Sequence, residues 1–139
     1  MALRKAQALW EGSLREGHGV MKFGTFEGPY SFSSRFEEGN GTNPEELIGA
    51  AHAGCFSMSL SAGLGRAGFT PQFVQTVANV TLGNVDGKAR ITQINLECEA
   101  AVPGIDADTF GKIAEESKNT CPVSAALAGV QITLDAKLV

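Results

Sequence analysis

The sequence predicts an α+β protein in which antiparallel sheets wrap around long central helices. Three observations predict it. The stretch Asn43 to Gly68 has helix start and stop signals and no Asp, Glu, Lys or Arg from Leu47 to Gly65. Period-two alternation of apolar and polar residues marks strands on both sides of that stretch. The strands come as hairpins with the helices segregated, unlike the regular strand–helix alternation of a doubly wound sheet.

Taken in order, residues 4–11 form a strand with Ala6, Ala8 and Trp10 on one face. Gly12 to Gly19 holds two turn signals and suits a hairpin. Val20 to Phe26 is a second strand, broken by Gly28-Pro29. Tyr30 to Phe36 reads as a third, with Tyr30, Phe32 and Phe36 on one face and Ser31, Ser33 and Arg35 on the other. The turn Glu37 to Gly41 leads into the long helix. Asn43 is its N-cap, Pro44 takes the first helical position, and Glu46 completes a capping-box pattern. Gly68 is placed to end it in a left-handed conformation. Val74 to Leu82 is a strand, residues 83–87 a turn, and Ala89 to Val102 a return strand with Ile94, Leu96, Cys98, Ala100 and Val102 inward. After Pro103-Gly104, Asp106 or Asp108 caps a helix over about 107–118, and Pro122 opens another to about Leu127. Val130 to Leu138 closes the chain as an alternating strand.

The 139 residues suit one domain over 1–139, and 43% hydrophobic with 19% charged residues is a globular composition. A net charge of −4 argues against nucleic-acid binding, which needs a basic stripe. The N-terminus lacks a signal-peptide core, and the long uncharged helix is Ala- and Gly-rich with His52 and several serines. A cytoplasmic chain with no membrane span is expected. A helix apolar all round needs burial on every side, more than one small chain easily supplies. Gly49, Ala50, Ala53, Gly54, Ser57, Ser61 and Gly65 would let a second helix approach closely, so a homodimer is expected.

The three cysteines form no CxxC and the two histidines, His18 and His52, are not at ligand spacing, so metal binding is not expected. Cys98 suits an inert core position. Cys55 is either a buried structural cysteine or a nucleophile. Cys121 precedes Pro122 at a helix start, where free N–H groups favour a thiolate. His52, three residues before Cys55, is either its base or a satisfied core polar group. Arg35 is the only basic residue between Lys22 and Arg66, and Glu45, not needed for the cap, is free to hold it.

Several motifs together carry a family resemblance. Arg35-Phe36-Glu37, GTNPEELIGAAHAGCFSMSLS around Cys55, AVPGIDADTF, NTCPVS around Cys121 and QITLDAKL closely resemble the osmotically inducible protein C (OsmC) family, relatives of the organic hydroperoxide resistance (Ohr) proteins. The resemblance implies a thiol-dependent peroxidase that reduces organic hydroperoxides to alcohols and uses hydrogen peroxide less well. It implies Cys55 as peroxidatic cysteine, Cys121 as resolving cysteine, Arg35 as activator of the thiolate and Glu45 as the holder of Arg35. It also implies an intertwined homodimer, a dithiol reductant of the lipoyl type, and no metal, haem or flavin. A redox-sensing or binding protein of the same fold is the alternative reading. One geometric consequence is independent of the family. Glu45 and Cys55 are ten residues apart on one helix, hence about 15 Å along its axis. An Arg35 held by Glu45 is then better placed to serve the Cys55 of a partner chain.

Overall fold

Glycine-opened turns and short alternating runs fold the N-terminal part of the chain into a meander. The computed structural model describes residues 1–139, in two compact units, Met1–Leu47 and Ile48–Val139. In the first, strands β1 (Ala6–Glu11), β2 (His18–Phe23) and β3 (Phe26–Tyr30) form an antiparallel sheet in that order. Gly24, at φ +51°, makes the tight β2–β3 turn, and the flanking Phe23 and Phe26 rings stack with centroids 4.8 Å apart. Gly28-Pro29 does not break the chain as predicted. Both lie inside β3, an edge strand, where a missing N–H leaves no ladder bond unmade. The exposed side of that edge accepts instead, from the Thr42 N–H to the Pro29 carbonyl at 2.9 Å.

The third predicted strand is a correction. Residues Phe32–Phe36 form a short helix, α1, capped by Ser31. The Ser34 N–H donates to Ser31 Oγ at 3.1 Å and the Ser31 N–H to Ser34 Oγ at 2.9 Å, a reciprocal capping box. Ser34 breaks the supposed apolar alternation, whereas Phe32 and Phe36 sit four apart and touch on one helix face, centroids 4.9 Å apart.

Helix α2 (Pro44–Arg66) follows its predicted caps closely. The Glu46 N–H donates to Asn43 Oδ1 at 2.8 Å, and the Glu46 carboxylate accepts from the Thr42 hydroxyl at 3.0 Å rather than from the Asn43 backbone. At the other end Gly68 has φ +91°, with the Phe69 N–H on the Leu64 carbonyl and the Gly68 N–H on that of Gly65. These two bonds satisfy carbonyls the helix would otherwise leave open.

In the second unit, β4 (Phe73–Val85) and β5 (Lys88–Ala101) form a long hairpin. Asp86 and Gly87 both take positive φ, 52° and 80°, as a two-residue hairpin turn requires. Helices α3 (Ala107–Thr120, capped by Asp106) and α4 (Pro122–Ala126) lead to β6 (Gln131–Leu138). β6 pairs parallel to β5, so this sheet is mixed rather than antiparallel. Parallel pairing needs a long crossover, and α3–α4 supply it. The five residues predicted to face inward, four in β5 and Val102 just past its end, are all buried. They join Phe56, Leu60 and Leu64 of α2 and Phe110 and Ala114 of α3 in one core. Each large apolar side chain removed from water there contributes roughly 1.5–3 kcal/mol.

Helix α2 is not buried on every side by its own chain. Ala51, Gly54, Met58, Ala62 and Gly65 recur at helical spacing along an exposed stripe, with Met58 76% exposed. Two of the small residues expected to face a second helix face this chain's own sheet instead. Gly49 lies against Val80 and Ala78, and the Ser57 hydroxyl bonds to that of Thr76 at 2.7 Å.

Candidate active site

A proline decides where the second cysteine of the site sits. The residue before proline is driven out of the helical region, so α3 must end at Cys121, whose ψ is 127°. Pro122 then starts α4 at the position where its missing N–H costs nothing. Cys121 is therefore the C-cap of α3 and the N-cap of α4, its N–H on the Ser117 carbonyl at 3.0 Å and its own carbonyl accepting from the Ala125 N–H at 3.0 Å. That double anchoring holds a fully buried sulfur at a fixed point.

The partly exposed Cys55, near the middle of α2, faces it. The Cys55 and Cys121 sulfurs are 2.8 Å apart and hydrogen-bonded, with both cysteines free. Their electrostatics differ. Burial pushes the Cys55 thiol up and the bond to Cys121 adds to this, against weaker pulls from the Val123 N–H and the Ser59 hydroxyl. For Cys121, burial alone would raise the thiol. The hydrogen bond shared with Cys55 and the pull of Ser124 and Val123 outweigh it and bring Cys121 down.

Arg35 and Glu45 also meet. Arg35 Nη2 donates to Glu45 Oε1 at 2.8 Å and Nε donates to the same oxygen at 3.2 Å. The Glu45 carboxylate is buried and its Oε2 has no partner, while the Arg35 side chain is about one-third exposed. The guanidinium passes 5.3 Å from the Phe36 ring centroid and opens onto a groove of about 410 Å³. Trp10, Leu14, Tyr30, Phe32 and Phe36 wall it. The aromatic surface expected from an alternating strand thus exists, but helix α1 supplies Phe32 and Phe36 while Trp10 and Tyr30 come from strands.

His52 is fully buried and is not hydrogen-bonded to Cys55. Its Nε2 lies 2.7 Å from Ser124 Oγ, and burial holds its pKa below the ordinary 6.5. Ser124 is the residue that reading the sequence missed. No local spacing signals it, because its hydroxyl meets a histidine 72 residues away in sequence. Cys98 is a core residue, 2% exposed. No three His, Cys, Asp or Glu side chains are grouped to hold a metal ion.

Comparisons with known proteins agree with this geometry. The family model described as OsmC-like protein matches residues 37–135. The chain is 53% identical over 140 residues to the peroxiredoxin OsmC of Escherichia coli (strain K12), covering 97% of this chain and 96% of that protein. It is 32% identical over 98 residues to an organic hydroperoxide resistance protein of Xanthomonas axonopodis pv. citri, covering 69% and 67% of the two chains. Among solved structures, an OsmC-like protein from Mycoplasma pneumoniae matches with a TM-score of 0.77 at 16% identity, covering 99% of this chain and 98% of its own. An organic hydroperoxide resistance protein OsmC from Legionella pneumophila matches at 0.72 and 23% identity, covering 99% of each chain. At those identities the structural likeness speaks for the fold.

Proposed function

The chain belongs to the OsmC family, and from that membership and its paired thiols we infer a thiol-dependent, peroxiredoxin-like peroxidase. Its substrates are organic hydroperoxides, with hydrogen peroxide a poorer one. The observation that carries the reading is the 2.8 Å separation of the Cys55 and Cys121 sulfurs. A peroxide-oxidised sulfur formed there has a second sulfur already within reach. The Cys55 thiolate attacks one peroxide oxygen, the O–O bond breaks, and the alkoxide leaves as alcohol with a proton. Cys55 is left as a sulfenic acid. Cys121 condenses with it, releasing water and forming a disulfide. An external dithiol of the lipoyl type restores both thiols by exchange and is itself oxidised.

In this reading Arg35 stabilises the Cys55 thiolate and the charge growing on the leaving oxygen, and Glu45 fixes the guanidinium. The aromatic groove beside Arg35 favours an organic tail over a bare peroxide. Cys55 lies ten residues beyond Glu45 on α2, a rise of about 15 Å. No cationic side chain lies between Leu47 and Gly65, and burial holds the Cys55 thiol up within its own chain. We therefore assign Arg35 and Glu45 to the Cys55 of a partner in an intertwined homodimer. The exposed stripe of α2 is assigned to that partner, rather than to lipid or nucleic acid, in a cytoplasmic protein.

The test is turnover of cumene hydroperoxide with dihydrolipoamide as reductant. The protein is expected to turn over, and Cys55→Ser to lose turnover while keeping its circular dichroism spectrum. A folded, fully reduced wild-type protein that consumes no hydroperoxide overturns the assignment.

A further inference from the structure

Cys121 stands at the start of a weak element. Helix α4 has only five residues, too few to hold a helical shape by its own hydrogen bonds. Its one buried side chain is not apolar but Ser124, 6% exposed. Pro122, Ala125 and Ala126 are exposed and Val123 is half-buried, so little apolar surface ties α4 to the core. The backbone bonds at Cys121 run to α3 and to α4 itself, not to α2. Ser124 makes the only side-chain hydrogen bond that α4 has, 2.7 Å from its Oγ to Nε2 of the fully buried His52 on α2. A hydrogen bond is directional where apolar contact is not, so a single one can fix the placing of so short a helix.

That bond has a companion. His52 and Cys55 are three apart on α2, and Cys121 and Ser124 are three apart across the first turn of α4. Side chains at that spacing share a helix face. His52 meets Ser124 at 2.7 Å and Cys55 meets Cys121 at 2.8 Å. Two rungs thus join the same two turns, one chemically inert and one that changes with every oxidation and reduction of sulfur.

We propose that the His52–Ser124 bond is a clamp that keeps α4 docked on α2 through the redox cycle and so holds Cys121 in place to resolve oxidised Cys55. Both are positioning residues that act through the α4 backbone. The proposal rests on the disulfide chemistry inferred above. When Cys55 becomes a sulfenic acid the thiol rung is lost and the clamp remains. The Cys121 sulfur then attacks the Cys55 sulfur. The S–S bond forms as the S–O bond breaks, and hydroxide leaves as water with the proton Cys121 gave up. The Cys55 sulfur is reduced and the Cys121 sulfur oxidised. A docked α4 makes this an attack between groups already placed, without the entropy loss of bringing them together.

Three measurements test the clamp. In glutathione redox buffers, which need no peroxide, the Cys55–Cys121 disulfide of Ser124→Ala is expected to be about tenfold less favoured than in wild type, a potential about 30 mV higher. In single-turnover reactions with cumene hydroperoxide, dimedone is expected to capture about tenfold more Cys55 sulfenic acid relative to disulfide in Ser124→Ala and in His52→Leu. The factor is expected to be the same at neutral and alkaline pH, because placement and not thiolate fraction is lost. A deficit that vanishes at alkaline pH would assign the pair to thiol acidity and overturn the clamp. Ser124→Thr and His52→Gln, which keep a group able to make the bond, are expected to recover most of both effects. A Ser124→Ala protein that loses urea stability but keeps the wild-type potential and capture overturns the clamp and leaves a structural contact. Wild-type protein supplies a test without variants. The Ala125 and Leu127 amides, bonded to the Cys121 and Val123 carbonyls, are expected to exchange slowly with solvent in the reduced form as in the disulfide form. Free exchange of both in the reduced form overturns the clamp, since α4 would then be undocked before any oxidation. Variants that shift the potential as expected in a protein that consumes no hydroperoxide would sink the peroxidase reading and leave the clamp standing.

Discussion

Cys121 shows how much chemistry one backbone position can set. Pro122 bars helix at the residue before it, the chain turns there, and the thiol lands beside Cys55. Replacing Cys121 with Ser should leave a Cys55 sulfenic acid that persists and is trapped by dimedone; immediate disappearance of the adduct would remove Cys121 from resolution. Arg35→Ala should lower kcat/KM for an organic hydroperoxide by of order 10²–10³, and Arg35→Lys should recover only part, since an ammonium cannot match the two-donor grip on Glu45 Oε1. Equal rates for all three would exclude a role for the guanidinium. His52 carries a stability signature. Its folded pKa lies below the ordinary 6.5, so the unfolded chain binds a proton that the folded chain refuses. The stabilisation is fully present above about pH 6.5 and is lost as pH falls below it toward the folded value. Urea midpoints should fall between about pH 7.5 and pH 5.5, and fall less in His52→Gln; parallel losses would place the sensitivity elsewhere. As candidates, Cys121, Arg35 and Glu45 were legible in the sequence by residue type and position, and Cys55 through the family resemblance of the motif around it. Ser124 was not, since a serine near a helix start has many ordinary uses and its partner lies 72 residues away.

At the scale of elements, hydrophobic period and capping chemistry succeeded wherever one face was clearly buried. The β5 alternation was read correctly through four positions and on to Val102 beyond it, and α2 ends where Gly68 allows it to. Leu60, fully buried in the core, tests that packing. Leu60→Ala should cost about 2–5 kcal/mol in chemical denaturation, while an alanine at exposed Met58 should cost little; similar losses would contradict the two faces of α2. The misreadings share a cause. Phe32 and Phe36 fit both a two-residue and a four-residue period, and the deciding feature was a pair of serines bonding each other's backbones. Pro29 was read as a break because whether it lies on an edge is a property of the sheet, not of the dipeptide. The direction of β6 was likewise hidden, because alternation is the same in parallel and antiparallel strands.

For the whole molecule, the proposal to test is that Arg35 serves the Cys55 of a partner chain. An exposed stripe containing Met58 and two glycines with nothing within 4 Å of an added Cβ, Gly54 and Gly65, suits a close helix neighbour. Met58→Glu should give a monomer in analytical ultracentrifugation and lose peroxidase activity with it; an unchanged dimer would move the interface elsewhere. Arg35→Ala and Cys55→Ser chains, each inactive alone, should recover part of the activity when co-expressed, because a mixed dimer holds one intact Cys55 facing one intact Arg35. Absence of recovery in demonstrated mixed dimers would place each site within one chain. By itself the sequence determined the core strand, the caps and bounds of the long helix and the α+β class. All of these depend on contacts a few residues apart or on the residue types themselves. Only the tertiary structure decided that Cys55 and Cys121 meet at 2.8 Å, that His52 turns to Ser124 and not to Cys55, and that β6 runs parallel to β5. Those outcomes join residues far apart along the chain, and a local pattern is compatible with many such pairings until the packed core selects one.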